Sequence, residues 1–478
     1  MENEGCLIAG QWVPSADHRA DINPSNTGDV IGMFAIGGAV EVDAAAQAAA
    51  QALPAWAAAP PQARAAVLDA VADQLTAQQS RLGELLAREE GKTRPEAEAE
   101  VARAAQIFRF FAGEAVRLVG DVQASYRPGV RVTQEREPVG VVGIITPWNF
   151  PIAIPAWKSA PALAYGNTVV LKPADLVPAT AVELAKIMTA AGAPPGIFNL
   201  VTGPGSSVGT AIAEHPLIDA VTFTGSEAVG RQVLATASAR FARVQLELGG
   251  KNPMVIAADA DLDTAVECCV AGAFFSTGQR CTASSRLIVE DAIYEPFLDR
   301  LLERTKALTV GDALSAGIDI GPVVDERQLA TDQRYLELAR SDHRAAVYGG
   351  ELVTAATPGH FLRPAVIAGL DNSAVINREE IFGPIAGVIR VADYEEAVAV
   401  ANDTDYGLVA GICTTSLSHA EDFRRRAQAG MVMVNLPTAG VDPHVAFGGR
   451  RRSGYGPKEQ GSQAREFFTQ LKVGYTAS

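Results

Sequence analysis

The feature that most constrains the fold is a regular alternation of short apolar runs and helix-forming stretches between Gly140 and Gly250. Apolar runs of strand length occur at 141–146, 168–172, 198–201, 220–223 and 244–248. Strands that are separated by helices run parallel and are joined by right-handed crossovers. The sequence therefore predicts a Rossmann-like parallel sheet, in which ligands bind beyond the carboxyl ends of the strands.

The flanking segments predict further helices and strands. Residues 40–116 have the pattern of long amphipathic helices, and residues 7–37 have that of an edge ribbon. After Gly250, a second α/β unit carries strand-like runs near 285–289, 386–391, 409–413 and 431–435. A hairpin pattern at 120–136 and a detached strand pattern at 467–476 predict a small β arm. We therefore expect an α/β protein with two sheet domains and one arm.

The net charge and the cysteine content argue against several classes of binding partner and against a metal site. The formal net charge of −15 argues against nucleic acid and anionic membrane. We expect no secretory signal, because no basic segment precedes an apolar one, and no apolar run is long enough to span a bilayer. The five cysteines are odd in number and lack metal-ligand spacing, which favours a reducing cytoplasm and no metal site.

Cys281 lies on a short loop between a predicted helix, 264–275, and a predicted strand, 285–289. A thiol held between two rigid elements can be aimed at a substrate, as covalent catalysis requires. On residue type alone, however, a cysteine is more often a small buried hydrophobe. The position makes Cys281 a candidate nucleophile without deciding its role.

Two polar residues at the ends of predicted strands are further candidates. Asn149 follows the first strand, where its amide can donate to a ligand oxygen, although a turn-forming role beside Pro151 is the commoner explanation. Glu247 ends the fifth strand, on the face opposite Val244 and Leu246. A carboxylate on an inner strand is costly to bury unless it has a partner or a task.

Other strand ends carry residues that suit a nucleotide. Lys172 ends the second strand and Asp175 follows it closely; both could meet ribose hydroxyls, although a surface salt bridge explains them equally well. The glycines 203, 205 and 209 follow the third strand and lie one residue off the dinucleotide-binding fingerprint. Alone, each of these signals is weak.

Two longer motifs connect these residues. They are Glu247-Leu248-Gly249-Gly250-Lys251-Asn252-Pro253 and Gly278-Gln279-Arg280-Cys281. In this order and spacing they resemble the paired signatures of the aldehyde dehydrogenase superfamily. Segments 145–151, 223–226, 379–384 and 447–449 match further motifs of that family, and the resemblance extends from about Leu7 to Tyr475.

The resemblance implies roles for three catalytic residues. Cys281 attacks the aldehyde carbon, and the oxyanion of the thiohemiacetal is stabilised by the Asn149 amide and the Cys281 backbone N–H. After hydride transfer to a nicotinamide, Glu247 activates the water that hydrolyses the thioester. Glu247 argues against a CoA-acylating relative. The intact trio argues against a catalytically silent binding protein on the same fold.

The resemblance also implies a cofactor site for NAD, with NADP as an alternative. The residues implied to form it are Thr146, Trp148, Lys172, Asp175, Gly205, Gly209, Gly225, Ser226, Glu380 and Phe382. In the family, Lys172 and the acidic residue at 175 meet the adenine ribose, Ser226 the pyrophosphate, and Glu380 with Phe382 the nicotinamide ribose. Because NAD-preferring relatives often carry glutamate where this chain has Asp175, the choice between NAD and NADP stays open.

Residues 274–286 are similar to 2-oxoglutarate semialdehyde (2,5-dioxopentanoate) dehydrogenases, and so are residues 436–442 together with 455–461. That semialdehyde is the expected substrate, and succinic semialdehyde or another aliphatic or aromatic aldehyde is the alternative. The implied substrate tunnel contains Phe150, Trp157, Arg280 and Phe447. An acidic substrate calls for a cation in the tunnel. Arg280 and Arg109 are the candidates, although a surface salt bridge is the stronger explanation for Arg109.

The resemblance also assigns functions to the expected domains. Residues 1–119 and 139–249 would form the NAD(P)-binding domain, and 250–446 the catalytic domain that carries the nucleophile. Residues 120–138 and 465–478 would form an oligomerisation arm. The expected partners are a small aldehyde and further copies of the chain, in a homodimer or homotetramer that associates through sheet edges.

Overall fold

The computed structural model of the protein describes residues 3–477. Its strands are β1 (Asn3–Glu4), β2 (Cys6–Ile8), β3 (Gln11–Val13), β4 (His18–Ile22), β5 (Val30–Ala35), β6 (Asp121–Ala124), β7 (Val130–Pro138), β8 (Val141–Ile145), β9 (Thr168–Lys172), β10 (Phe198–Leu200), β11 (Ala220–Thr224), β12 (Arg243–Glu247), β13 (Asn252–Ile256), β14 (Ser284–Glu290), β15 (Ala346–Gly349), β16 (Ala365–Ala368), β17 (Ile385–Val391), β18 (Val409–Cys413), β19 (Met431–Val434), β20 (Gly454–Tyr455) and β21 (Thr469–Ala477). Its α-helices are α1 (Ala39–Ala57), α2 (Pro61–Ala77), α3 (Gln79–Glu90), α4 (Arg94–Ala115), α5 (Ala153–Ala164), α6 (Ala179–Ala190), α7 (Thr210–Glu214), α8 (Glu227–Ser238), α9 (Leu262–Phe274), α10 (Tyr294–Lys306), α11 (Glu326–Ser341), α12 (Val375–Arg378), α13 (Tyr394–Asn402), α14 (Leu417–Arg426) and α15 (Arg465–Phe468).

The first large sheet contains all of the strands predicted between Gly140 and Gly250. Its order is β20-β12-β11-β8-β9-β10-β2-β3, and β8 to β12 pair in parallel. From β8 the chain moves outward to β9 and β10, and it then returns to the other side of β8 for β11 and β12. The direction therefore switches between β8 and β11, where sheets of this kind bind ligands. This confirms the predicted α/β fold with a Rossmann-like sheet.

Both faces of this sheet are buried, as the continuous apolar runs predict. Val142 and Ile144 of β8 pack into a core formed with helices α2 to α6. Val141 and Ile145 pack into a second core, formed with α1 and α8 on the opposite face. Because side chains alternate along a strand, β8, β9 and β11 supply both cores and are held rigidly between them. The loops that follow these strands are therefore fixed at the sheet edge.

The second large sheet lies in the C-terminal half, with the order β15-β16-β17-β14-β13-β18-β19. The strands from β16 to β19 are parallel, and β15 pairs antiparallel with β16 at the edge. The expected second α/β unit is thus present. The sequence patterns missed β13, which contains Pro253, and they also missed β15 and β16, which have four residues each.

The hairpin β6–β7 and the last strand β21 form a three-stranded antiparallel sheet. β21 pairs with β7 along its whole length, from Thr469 opposite Pro138 to Ala477 opposite Val130. Leu471, Val473 and Tyr475 on β21 are exposed, each with at least half of its surface accessible. The arm is therefore a ribbon with apolar side chains on its surface.

Two kinds of feature are missing from residues 3–477. No helix in this range is both long and apolar enough to cross a membrane. No group of three or more histidine, cysteine, aspartate or glutamate side chains is arranged to hold a metal ion. All five cysteines lie in this range, and each is a free thiol.

Candidate active site

A cavity of about 540 Å³ lies beyond the carboxyl ends of the first sheet and meets the loop that carries Cys281. Most of the site residues predicted from the sequence line it, namely Trp148, Asn149, Phe150, Trp157, Gly225, Ser226, Glu247, Arg280, Cys281, Glu380, Phe382 and Phe447. The others, Thr146, Lys172, Asp175, Gly205 and Gly209, lie outside this cavity. One cavity thus joins residues from both large sheets.

The backbone before Cys281 is strained and buried. Helix α9 ends at Phe274, and a single 3₁₀ turn from Phe275 to Gly278 follows. Ser276, Thr277 and Gly278 have φ values of 51°, 56° and 65°, in the left-handed region that costs about 1–3 kcal/mol for a residue other than glycine. A Cβ on Gly278 would lie 2.3 Å from the carbonyl oxygen of Gly383. This tight turn fixes where Cys281 emerges.

Cys281 is half-buried, whereas Cys6, Cys268, Cys269 and Cys413 are buried. Desolvation raises the pKa of the Cys281 thiol to about 12, and the carboxylates of Glu380 and Glu247 add to the shift by repulsion. In this state of the protein the thiol is therefore protonated at neutral pH. Thiolate formation requires a change in this electrostatic environment, such as a cation or a proton acceptor.

Asn149 lies directly beside the Cys281 loop. Its side-chain Nδ2 donates to the carbonyl of Gln279 at 2.9 Å, two residues before Cys281. The backbone carbonyl of Asn149 accepts a hydrogen bond from the buried Lys92 ammonium at 2.8 Å. An amide nitrogen carries two N–H groups, so one remains for a ligand oxygen. The structure thus holds the predicted oxyanion donor rigidly in the cavity wall.

Glu247 ends β12, and its side chain is almost completely buried. Burial raises its pKa well above the usual range, and repulsion by the nearby carboxylate of Glu459 raises it further. The backbone N–H of Gly449 donates to Oε2 at 3.3 Å. A Cβ on Gly448 would lie 2.3 Å from Oε1, so a glycine there leaves room for the carboxyl group. The raised pKa makes Glu247 a strong proton acceptor once it is ionised.

Behind Glu247 lies a buried ion pair that the sequence patterns missed. The ammonium of Lys158 on α5 donates to the carboxylate of Glu459, and both side chains are almost inaccessible to solvent. Lys158 also donates to the hydroxyl of Thr222 at 2.8 Å. The sequence contains one indication of this pair, a single lysine within the otherwise uncharged segment 153–164. A lysine buried in such a helix needs a partner of opposite charge, although its identity cannot be predicted locally.

Glu380 is held at the junction of the two sheets. Its Oε1 accepts a hydrogen bond from the backbone N–H of Gly250 at 2.9 Å, and desolvation raises its pKa to about 7. A Cβ on Gly249 would lie 1.9 Å from Oε2 of Glu380. The Gly249-Gly250 pair therefore permits this carboxyl group to approach the backbone closely. Nearby, the rings of Trp148 and Phe382 pack edge to face at 5.4 Å.

The remaining residues predicted to bind a cofactor follow the parallel strands. Thr146 comes directly after β8, Lys172 ends β9, and Gly205 and Gly209 bound a π-helical turn after β10. Gly225 follows β11, and Ser226 is the N-cap of α8. Since parallel strands end at the same edge, these residues lie along one edge of the sheet.

Several groups at this edge are of a kind that suits a dinucleotide, and two of them have no hydrogen-bond partner among the described residues. The hydroxyls of Thr146 and Thr224 are buried without a hydrogen-bond partner in the part of the chain that the structure describes. Ser226 makes no side-chain cap, and α8 begins there with the backbone N–H groups that suit a phosphate. Burial lowers the pKa of Lys172 to about 8, and its ammonium donates to the carbonyl of Pro173.

The two arginines that the sequence offered as substrate ligands have different surroundings. Arg109 forms surface ion pairs with Asp69 at 2.7 Å and Asp73 at 2.5 Å, as the salt-bridge explanation predicts. Arg280 lines the cavity, but its Nη2 donates to the carbonyls of Ala271 and Gly272 near the end of α9. Arg280 is therefore partly engaged by the helix, which weakens the argument that it binds a substrate carboxylate.

Comparison with known proteins identifies the family. Residues 12–473 match the model of the family described as "Aldehyde dehydrogenase family". The chain belongs to the aldehyde dehydrogenase family. This confirms the resemblance inferred from the paired motifs around Glu247 and Cys281.

Individual members of the aldehyde dehydrogenase family match over nearly the whole chain. An alpha-ketoglutaric semialdehyde dehydrogenase of Bacillus subtilis is 42% identical over 98% of this chain and 96% of its own length. An alpha-ketoglutarate semialdehyde dehydrogenase of Haloferax volcanii is 41% identical over 98% of both chains. The crystal structure of a betaine aldehyde dehydrogenase of Staphylococcus aureus in complex with NAD+ has a TM-score of 0.96, with 32% identity over 99% of this chain and 95% of that one.

Within this aldehyde dehydrogenase, the cavity also contains residues that the sequence motifs did not single out. Arg103 on α4 and Gln460, which follows β20, line it together with Cys281. The sequence contains only one indirect indication that Arg103 lines the cavity. Glu96, Glu100 and Arg103 recur at helical spacing on the same face of α4 that meets the cavity.

Proposed function

We propose that this aldehyde dehydrogenase oxidises 2-oxoglutarate semialdehyde to 2-oxoglutarate with NAD, and that it releases the acid by hydrolysis. The observation that carries this proposal is the meeting of Cys281, Asn149 and Glu247 in one cavity at the switch point of the first sheet. The substrate class is supported by the relatives named for alpha-ketoglutaric semialdehyde, a synonym of 2-oxoglutarate semialdehyde.

In the first half of the reaction, the Cys281 sulfur forms a bond to the aldehyde carbon, and the carbonyl π electrons move to the oxygen. The backbone N–H of Cys281 and the free N–H of Asn149 donate to this oxyanion. The thiol proton is released to solvent, to which the half-buried Cys281 has access, so the carboxyl group of Glu247 stays available as a base for the second half. A bound nicotinamide cofactor supplies the hydride acceptor that makes the step an oxidation.

In the second half, Glu247 deprotonates a water molecule that attacks the thioester carbon. The bond from carbon to the Cys281 sulfur then breaks, and the thiolate is restored as the acid leaves. Lys158 and Glu459 lie behind Glu247 and hold charges of opposite sign that influence its proton affinity. A glutamate at this place favours water over CoA as the acyl acceptor.

We also propose which residues hold the cofactor. Lys172 and Asp175 would meet the adenine ribose, and the N-terminus of α8 at Ser226 would meet the pyrophosphate. Glu380 and Phe382 would hold the nicotinamide ribose beside Trp148. The structure of the betaine aldehyde dehydrogenase with NAD+ supports NAD as the cofactor of the shared fold. NADP stays an alternative because of Asp175.

The boundaries of the three structural units are part of the proposal. Residues 1–119 with 139–249 would bind the cofactor, 250–446 would carry the nucleophile, and 120–138 with 465–478 would join copies into a dimer or tetramer. The exposed Leu471, Val473 and Tyr475 support an interface on the arm. The free thiols support a cytoplasmic location.

A single assay series tests the proposed reaction. NADH and NADPH formation is followed with 2-oxoglutarate semialdehyde, succinic semialdehyde, pentanal and benzaldehyde, with and without CoA. We expect the highest kcat/KM with 2-oxoglutarate semialdehyde and NAD, independent of CoA. Higher kcat/KM with succinic semialdehyde would favour that alternative substrate, and no turnover of any aldehyde would refute the proposal.

A further inference from the structure

We propose that Arg103 and Gln460 form the binding site for the acidic end of the substrate, with Arg103 on the carboxylate and Gln460 on the 2-oxo oxygen. This inference rests on the proposed function, because it concerns the aldehyde that reaches Cys281. It replaces Arg280 and Arg109 as the expected source of the positive charge.

Arg103 is a cation in the cavity wall without an ion-pair partner. It lies on α4, and no carboxylate among residues 3–477 comes within 4.0 Å of its guanidinium. Desolvation lowers its pKa, and attraction from Asp442 and Glu100 opposes that shift from a longer distance. Since a partly buried guanidinium gains most from a carboxylate, Arg103 is suited to an anionic ligand.

The two carboxylates on the same helix that line the cavity, Glu96 and Glu100, are engaged elsewhere. Glu100 pairs with Lys92 at 2.5 Å and accepts the backbone N–H groups of Ile152 and Ala153. Glu96 accepts hydrogen bonds from the backbone N–H and the hydroxyl of Ser276. These bonds anchor both glutamates to the loops of the active site. They therefore cannot fold over Arg103 and neutralise it.

Gln460 supplies a second donor beside Arg103. Its Oε1 accepts a hydrogen bond from Nη2 of Arg103 at 3.2 Å, and this contact orients the amide. The side chain is wholly buried, and its Nε2 has no acceptor in the described part of the chain. Gln460 also has a φ of 57°, which is unusual for a residue other than glycine. A strained, buried residue with a free donor that lines the cavity points to a ligand oxygen.

The two donors match the chemistry of a 2-oxo acid. The guanidinium presents two parallel N–H groups to a carboxylate, and the amide N–H suits the neighbouring ketone oxygen. The aldehyde at the other end of the substrate is then directed to Cys281. A simple aldehyde, which lacks both acceptors, leaves Arg103 and Gln460 unsatisfied, so the site discriminates against it.

The test compares Arg103→Met with wild type on three aldehydes of the same chain length. These are 2-oxoglutarate semialdehyde, glutarate semialdehyde, which lacks the 2-oxo group, and pentanal, which lacks both acceptors. We expect Arg103→Met to lower kcat/KM for both acids by roughly 10–100-fold, mainly through KM, and to leave pentanal within about twofold. Arg103→Lys should recover part of the loss. Arg109→Met, on the exposed face of the same helix, is the matched control and should behave as wild type.

Two further variants separate the two donors. Gln460→Met removes the free N–H without adding a charge beside Arg103, and it should lower kcat/KM for 2-oxoglutarate semialdehyde more than for glutarate semialdehyde. Asp442→Asn removes the distant competing anion and should lower KM for both acids. Direct titration with glutarate and 2-oxoglutarate, without cofactor, should give weaker binding to Arg103→Met than to wild type.

The possible failures are distinguishable. If wild type oxidises no aldehyde, the proposed function itself is wrong. If wild type is active and Arg103→Met loses the same factor on pentanal as on the acids, Arg103 has only a structural role and the inference falls. An unchanged kcat/KM for the acids in Arg103→Met would also overturn it. Turnover of pentanal by the variants shows that they are folded.

Discussion

Arg19 on β4 donates from Nη1 to Oδ2 of Asp175 at 2.6 Å, across the edge of the first sheet. Asp175 follows β9 closely and is one of the two residues proposed to meet the adenine ribose, together with Lys172. The ion pair brings a guanidinium, about half exposed, to the place where the proposed cofactor site would hold the 2′-phosphate that distinguishes NADP from NAD. We therefore expect Arg19 to influence the choice between NAD and NADP, which the identity of Asp175 alone does not decide.

We expect Arg19→Gln to lower kcat/KM with NADP by roughly tenfold. The variant loses a donor for the 2′-phosphate and also exposes that phosphate to the charge of Asp175. The value for NAD should stay within about twofold, because an exposed ion pair contributes little to stability. Steady-state rates with both cofactors give the ratio of kcat/KM for NADP to kcat/KM for NAD. Arg81→Gln, which removes a surface pair with Glu183, is the control, and equal losses with NAD and NADP would contradict the idea.

The contrast between Asp175 and Arg19 shows what the sequence can and cannot predict. Periodicity and local turn signals predicted the parallel strands of the first sheet, and strand ends located Asn149, Lys172 and Glu247, because these patterns are local. The motifs then connected Glu247 with Cys281. Contacts between distant segments carry no local signal, so the pairs Arg19–Asp175 and Lys158–Glu459 became apparent only in the folded chain. For the same reason, the contact between Gln460 and Arg103 could not be predicted from the sequence.

The reactivity of Cys281 should increase steeply with pH in the protein without cofactor. A thiol whose pKa is raised to about 12 is almost entirely protonated at pH 7, so the thiolate fraction grows about tenfold for each pH unit. Alkylation by iodoacetamide, followed by mass spectrometry from pH 6 to pH 9, should show this increase without a plateau. A plateau below pH 8 would mean that the thiol is already ionised.

Two variants control this measurement. Cys281→Ser should abolish rapid labelling, because the other cysteines are buried. Glu380→Gln should speed labelling of Cys281 at pH 8, since repulsion by Glu380 is one of the causes of the raised thiol pKa. An unchanged rate in Glu380→Gln would show that repulsion by Glu380 does not limit the reactivity of Cys281.

Glu247→Gln should separate the two halves of the reaction. The amide keeps the shape of the side chain but cannot deprotonate water, so the thioester should accumulate. We expect a burst of NADH followed by a steady-state rate lower by about 10²–10⁴-fold. Rapid mixing measures the burst, and mass spectrometry should detect the acyl group on Cys281. Wild-type steady-state turnover would show that another group serves as the base.

Gly249→Ala should weaken cofactor binding with little effect on stability. The new Cβ would lie 1.9 Å from Oε2 of Glu380, so the carboxyl group must move away from the site proposed for the nicotinamide ribose. A side-chain end can swing aside at small cost, and we expect KM for NAD to rise roughly tenfold. In a Glu380→Ala background the same substitution should have almost no further effect. If Gly249→Ala raises KM for NAD by the same factor in the Glu380→Ala background, the effect does not come from displacement of Glu380.

Arg286→Met should destabilise the second sheet far more than a surface arginine does. The Arg286 side chain on β14 is fully buried and donates to the carbonyls of Lys251, Val400 and Ala401 and to the amide oxygen of Asn372, at 2.9–3.0 Å. The methionine fills similar space but leaves these acceptors unpaired, which we expect to cost about 3–5 kcal/mol. Urea denaturation measures the loss, and hydrogen exchange should quicken in β13 and β14. Arg304→Met, which breaks only an exposed pair with Glu267, should cost less than about 1 kcal/mol, and equal costs would contradict the prediction.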